Sequence, residues 1–108
     1  MRTALFALLL ALALGGCAST ARLGQDFPLD RFLARVQPGV TTGRELEAWL
    51  GPPAAKGGSV EPDGTRYRQW TWYFGSGTLP ALRDARFKIL QVKLDQEGRV
   101  RAYTWSSP

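Results

Sequence analysis

One side chain in this sequence carries a thiol: Cys17, in the stretch ALGGCAST, residues 13–20. The sequence has no histidine. A single cysteine forms no intrachain disulfide, and without histidine there is no Cys/His zinc site, no Ser-His or Cys-His nucleophile and no imidazole general base. The nine acidic residues are scattered, and none follow the ligand spacing of a cation-binding loop. Acid–base work would need an unrecognised carboxylate pair, for instance Asp63 with Asp95, and nothing in their spacing brings the two together. These residue types argue against an enzyme, with no catalytic residues, no metal ligands and no cofactor outside a covalent modification of Cys17.

What surrounds Cys17 suggests that modification. Arg2 gives a positive start, and Ala4 to Leu14 is an apolar run free of charge and proline. As a helix this run rises about 16 Å against a hydrocarbon layer of about 30 Å, the proportions of a secretory signal core and too short for a span. Leu14, Gly15, Gly16 and Cys17 follow in order. This arrangement resembles the lipobox of bacterial lipoproteins, in which the chain is cut before the cysteine once its sulfur carries a diacylglyceryl group. The small pair lets extended backbone enter a protease site, and sulfur is the nucleophile best suited to alkylation. The alternative is an ordinary signal peptide cut elsewhere, with Cys17 incidental.

The resemblance implies diacylglyceryl and N-acyl lipid on Cys17, and several acyl chains anchor stably where one is marginal. Ala18 stands where an aspartate would mark inner-membrane retention in enterobacterial lipoproteins, so the expected location is the outer membrane of a Gram-negative bacterium, facing the periplasm. The expected organisation is a signal peptide over 1–16, a lipidated N-terminus and polar tether over 17–26, and one domain over 27–108. Removing the first sixteen residues leaves 92, enough for one small core, and lowers the net charge from +5 to +4. Basic residues alternate with others and form no stripe, which argues against nucleic acid and leaves either a solvated surface or one resting near anionic lipid headgroups.

Beyond Asp26, Leu29, Phe32, Leu33 and Val36 make one apolar stripe of a short helix, begun near Pro28 and ended by Pro38-Gly39. Thr42 with Glu45 fits a capping box, and Leu46, Trp49 and Leu50 give a second helical face closed by Gly51 and Pro52-Pro53. Gly43 weakens that helix, which must be held by packing. The stretch AAKGGSVEPDG reads as loop, TRYRQWTWYF as an aromatic strand, and GSGTLPALRDA, residues 75–85, as a long connection. A further strand carries Leu90, Val92 and Leu94 on one face, with an irregularity expected near Ile89. A hairpin over Asp95 to Gly98 leads to a last strand in which Val100, Ala102 and Thr104 oppose Tyr103 and Trp105. The predicted fold is therefore α+β, with two short N-terminal helices on one face of a three-stranded antiparallel sheet, in the order ααβββ.

The stretches QPGVTTGRELEAWLGPP, QWTWYF and QVKLDQEGRV resemble the small outer-membrane lipoproteins of the BamE type, also called SmpA/OmlA. The matching positions are Gly39, Thr42, Leu50, Gly51, Pro53, Trp70 or Trp72, Tyr73, Leu94, Asp95, Gly98 and Val100. The family's Tyr-x-Pro-Asp-Ile-x-Gln-Gly-Asn stretch is replaced by DFPLDRFLARVQPG, and Leu94 stands where the family often has Phe. The resemblance is thus to a divergent lipoprotein carrying this domain and not to the assembly-machinery subunit itself. It implies a non-enzymatic binding or scaffold module serving outer-membrane protein assembly or envelope integrity. The β-barrel assembly machinery or other envelope proteins would be its partners, beside the membrane that the lipid anchor holds. Tyr67, Tyr73, Tyr103 and Trp105 are the candidate interface, unless these rings complete a core beneath residues 75–85. A second reading is an inhibitor or ligand-capturing module with a fold like that of a secreted β-lactamase inhibitor.

Overall fold

The computed structural model of the chain describes residues 19–108, so the expected signal peptide, the Leu14-Gly15-Gly16 segment and Cys17 lie outside the described residues. The elements run β1 (Ser19–Gly24), α1 (Leu29–Arg35), α2 (Gly43–Leu50), β2 (Ala55–Val60), β3 (Arg66–Leu79), β4 (Arg86–Leu94) and β5 (Val100–Ser106). All strand pairs are antiparallel. The two helices are present, but the predicted three-stranded ααβββ sheet is not: the sheet has five strands, one of them ahead of both helices.

The two added strands lie end to end along one edge of β3. Its first half, Arg66 to Thr71, pairs with β2, and its last part, Phe74 to Leu79, pairs with β1. Its other edge pairs with β4 from Arg68 to Ser76, and β4 in turn pairs with β5. β1 occupies most of the expected tether and β2 most of the expected loop. Their sequences, STARLG and AKGGSV, are almost wholly exposed and show no apolar alternation. Backbone pairing to a longer neighbour makes them strands; that neighbour is distant in sequence from β1 and follows β2 directly in a hairpin. β3 also runs five residues past the aromatic segment, through GSGTL, into the expected connection.

One face of the sheet is covered. Alternation along β3 turns Trp70, Trp72 and Phe74 to the same side, and their cross-strand partners Val92, Leu90 and Lys88 follow. Phe32 from α1, Leu46 and Leu50 from α2, and Phe27 and Leu29 ahead of α1 close over Trp72, Leu90, Val92, Leu94 and Val100 in a single buried cluster. β4 is regular through Ile89, so the irregularity expected there is absent; Phe87 and Ile89 belong to the uncovered face. The register shift falls instead between Lys93 and Leu94, where Leu94 pairs with Val100 and Lys93 with Ala102. This bulge turns both Val100 and Tyr103 inward, three residues apart, which a strict alternation forbids.

The helices are tied to this face at both ends of α2. Thr42 and Glu45 form the capping box at its start. At its end the indole Nε1 of Trp72 donates to the carbonyl of Gly51 at 3.1 Å, which satisfies a helix-terminal acceptor from the middle of the sheet. Gly43 owes its place to close approach: a Cβ there would stand 2.8 Å from the Trp70 ring and 3.0 Å from Leu94. The segment between the helices docks on the start of β5, where Gly39 N–H donates to Val100 O and Val100 N–H to Thr41 O. Replacing Trp72 by Phe keeps the ring packing and orphans the Gly51 carbonyl; a loss of about 1–3 kcal/mol in chemical denaturation is expected, with the sheet retained by circular dichroism.

Asp95 holds the β4–β5 turn. Its carboxylate accepts from the backbone N–H groups of Arg99 and Glu97, both at 2.9 Å, and from Arg101 Nε at 2.8 Å. These bonds, the Arg99 amide foremost, hold its pKa below the ordinary carboxylate value. A depressed folded-state pKa contributes stability that is present above the unfolded value of roughly 3.9 and is lost as pH falls through the folded one. Acid unfolding below about pH 4 is therefore expected to be shallower in Asp95→Asn than in the parent, followed by tryptophan emission.

Candidate functional site

The four aromatic side chains expected to form one interface divide between the two faces of the sheet. Tyr67 and Tyr73 alternate with Trp70, Trp72 and Phe74 on β3 and stand on the uncovered face. Tyr103 is paired with Val92 and Trp105 with Leu90, which sets both on the helix face. The bulge is the reason: it reverses the parity assumed for β5, and no single patch of Tyr67, Tyr73, Tyr103 and Trp105 exists.

Each half has its own environment. Tyr103 is half-buried, meeting Phe32 edge to face with ring centroids 5.1 Å apart. Trp105 leans against Tyr103 at 5.9 Å and is 50% exposed, so the pair forms a ledge where the core meets solvent at the edge strand. On the other face Tyr73 covers Gly24 so closely that a Cβ there would reach 2.3 Å from the Tyr73 carbonyl oxygen. Tyr67 pairs across to Ser59 of β2 and is half-buried.

Between these two tyrosines the uncovered face is polar and shallow. A depression there is lined by Gln69, Gln91, Lys93 and Thr104. Lys93 is paired with Glu61 at the margin. No helix lies over this side among the described residues, and an antiparallel sheet with one solvated face is a common arrangement. Thr71, Gln69 and Gln91 offer amide and hydroxyl groups at regular spacing, so the face suits protein contact through hydrogen bonds flanked by aromatic rings.

Asp63 accepts from the Thr65 N–H within its own turn, at 2.9 Å, while Asp95 is engaged by Arg99, Glu97 and Arg101. Both carboxyls lie below their ordinary pKa, drawn down chiefly by backbone N–H groups, opposite to the raised value a general acid needs. The same holds for Asp26, held down first by its hydrogen bond from Lys88, and for Asp84, held by the Thr78 N–H. Among the described residues no group of His, Cys, Asp and Glu is arranged to hold a metal ion.

One feature escaped the sequence: the far end of β3. There Gly75 lies beneath Phe87 and beside Leu23, and Gly77 beneath Leu82, so a small recess opens on the uncovered face. The exposed leucines Leu23, Leu79 and Leu82 were scattered through segments read as tether and connection. The pairing of β1 with the end of β3 sets Leu23 and Leu79 at one end of the sheet, and the Leu82 side chain lies over Gly77 there.

Truncation separates the two aromatic pairs. Tyr103→Ala removes an edge-to-face partner of Phe32 and is expected to cost about 2 kcal/mol, whereas Tyr67→Ala costs less than about 1 kcal/mol in the same denaturation measurement. No family model, curated protein or solved structure matches this chain.

Proposed function

We propose that the protein is an outer-membrane-anchored lipoprotein facing the periplasm, acting as a non-enzymatic binding module that holds another envelope protein. The observation that carries the reading is Cys17 itself, the only cysteine of the chain, set directly after an apolar leader and the pair Gly15-Gly16. No helix among the described residues is long and apolar enough to cross a membrane, and Asp63, Asp84 and Asp95 are each engaged in hydrogen bonds with residues near in sequence. β1 begins two residues after Cys17, so lipid on that sulfur would hold the sheet itself close to the bilayer with almost no tether.

The uncovered sheet face from Tyr67 to Tyr73 is the surface we assign to the protein partner. Its amides and hydroxyls are evenly spaced, and its aromatic margins supply the rigid contact area that interfaces favour. Outer-membrane protein assembly is the process to which the BamE-type resemblance points. Four-residue aromatic contact is not part of this assignment, since Tyr103 and Trp105 belong to the other face.

Two measurements test the reading. Cys17→Ser is expected to block acylation and cleavage, so that the variant accumulates as the uncut, lipid-free precursor; a serine variant processed and membrane-bound like the parent would sink the anchor. A photo-crosslinker at Gln91, in the middle of the open face, is expected to capture β-barrel assembly components from intact envelopes. Capture of a soluble periplasmic enzyme alone would favour the inhibitor reading.

A further inference from the structure

The end of the sheet nearest Cys17 differs from the rest of the molecule. β1 runs antiparallel to β3, so Ser19 pairs with Leu79 at the extremity of the longest strand. Two residues of extended chain span at most about 7 Å, so a lipid attached two positions before Ser19 would act within that reach of this tip. The helices do not reach it: their apolar cover ends near Phe74, level with Gly24. From Gly75 onward three strands continue with neither face covered by a helix, an arrangement that buries little by itself.

This uncovered tip gathers the apolar surface of the protein. Of the seven exposed large hydrophobic side chains among the described residues, four lie there: Leu23, Leu79, Leu82 and Phe87, between 39% and 59% exposed. Leu23, Leu82 and Phe87 border one open recess over Gly75 and Gly77 on the uncovered face. Cations flank the same end of the sheet. Arg22 and Arg86 are set across Ser76 from each other, one on each side of β3, at positions that alternate to the opposite face from Leu23 and Phe87, and Arg83 sits in the turn beyond Leu82. None of the three arginines is in an ion pair among the described residues. The nearby acids are already occupied, Asp84 by the N–H and hydroxyl of Thr78 and Asp26 by Lys88.

We propose that this tip rests in the interface of a bilayer carrying anionic headgroups, with Leu23, Leu82 and Phe87 entering the acyl boundary and Arg22, Arg83 and Arg86 meeting the phosphates. Exposed apolar side chains with long cationic ones at the same level of the sheet is a pattern by which amphipathic surfaces bind such membranes, the guanidinium groups reaching the headgroups while the apolar side chains enter the acyl boundary. The inference rests on the lipid anchor at Cys17, which brings the tip to the membrane. It adds that the domain lies against the bilayer in one orientation instead of swinging from a point, leaving the Tyr67 to Tyr73 end farther out for a protein partner.

Because Cys17 is the only cysteine, a chain acylated there accepts a spin label at one introduced thiol. Leu23→Cys on the tip and Val60→Cys at the far end of the same sheet edge are both exposed positions, 59% and 67%. The acylated protein would be reconstituted in vesicles of phosphatidylethanolamine with phosphatidylglycerol, and in phosphatidylcholine alone. Collision of each label with oxygen would be compared with collision with a water-soluble nickel complex. The expected result is a label at 23 shielded from nickel and open to oxygen in the anionic vesicles, with the label at 60 remaining aqueous. Replacing Arg22, Arg83 or Arg86 by Gln should lower the docked fraction about fivefold each, in step with the contribution of one surface cation. High salt should do the same without altering the fold. Equal, aqueous behaviour at 23 and 60 in an acylated, vesicle-bound protein would overturn the inference while sparing the anchor. A protein whose intact mass shows Cys17 unmodified would overturn both.

Discussion

The backbone pairing along β3 is the constraint on which the rest of the structure depends. This strand of 14 residues has β4 on one edge and, on the other, β2 and β1 in succession. Every other strand but β5 is a strand because β3 is beside it, and β5 follows through β4. The same strand sets the depth of the core, since Trp72 stands at its middle, 2% exposed, and donates its indole hydrogen to the end of α2. A long strand with a packed centre and bare ends divides the molecule. A helix-covered middle gives stability, and the two uncovered regions, the polar face and the apolar tip, are left for contact.

That division follows from side-chain size. The aromatic half of β3 meets Phe32, Leu46 and Leu50 and closes a core around itself. Past Phe74 the strand changes to Gly75, Ser76, Gly77 and Thr78, which offer helices nothing to pack on. The glycines are nevertheless useful, because Phe87, Leu23 and Leu82 lie over them. Apolar side chains are thereby held on the sheet surface without being buried beneath a second layer.

How much of this was legible depended on whether side chains or backbone decided each element. Thr42, Glu45 and Gly51 marked α2 correctly, because capping is a local interaction between residues a few positions apart. The stripe of Leu29, Phe32 and Leu33 and the row of Leu90, Val92 and Leu94 were legible because burial imposes periodicity. β1 and β2 were not: STARLG and AKGGSV are held through their N–H and C=O groups, β1 by residues 50 to 60 positions away and β2 by residues 6 to 16 positions away, and carry no pattern of their own. Tyr103 and Trp105 went to the wrong face because one bulge near Leu94 reversed a parity that sequence alone takes as constant. Among the site residues, Cys17 lies outside the described residues, and its reading rests on the fifteen or so residues before it alone. The apolar tip was the least legible, assembled from three segments that only strand pairing brings together.

An envelope module of this kind would be defined by where it is held, and the covalent state of Cys17 decides that most directly. The central claim is tested by the intact mass of the protein isolated from membranes. The account predicts a chain beginning at Cys17 and carrying a diacylglyceryl group on sulfur and an acyl group on its new amino terminus. A chain that begins elsewhere, or that begins at Cys17 with a free thiol, would contradict it.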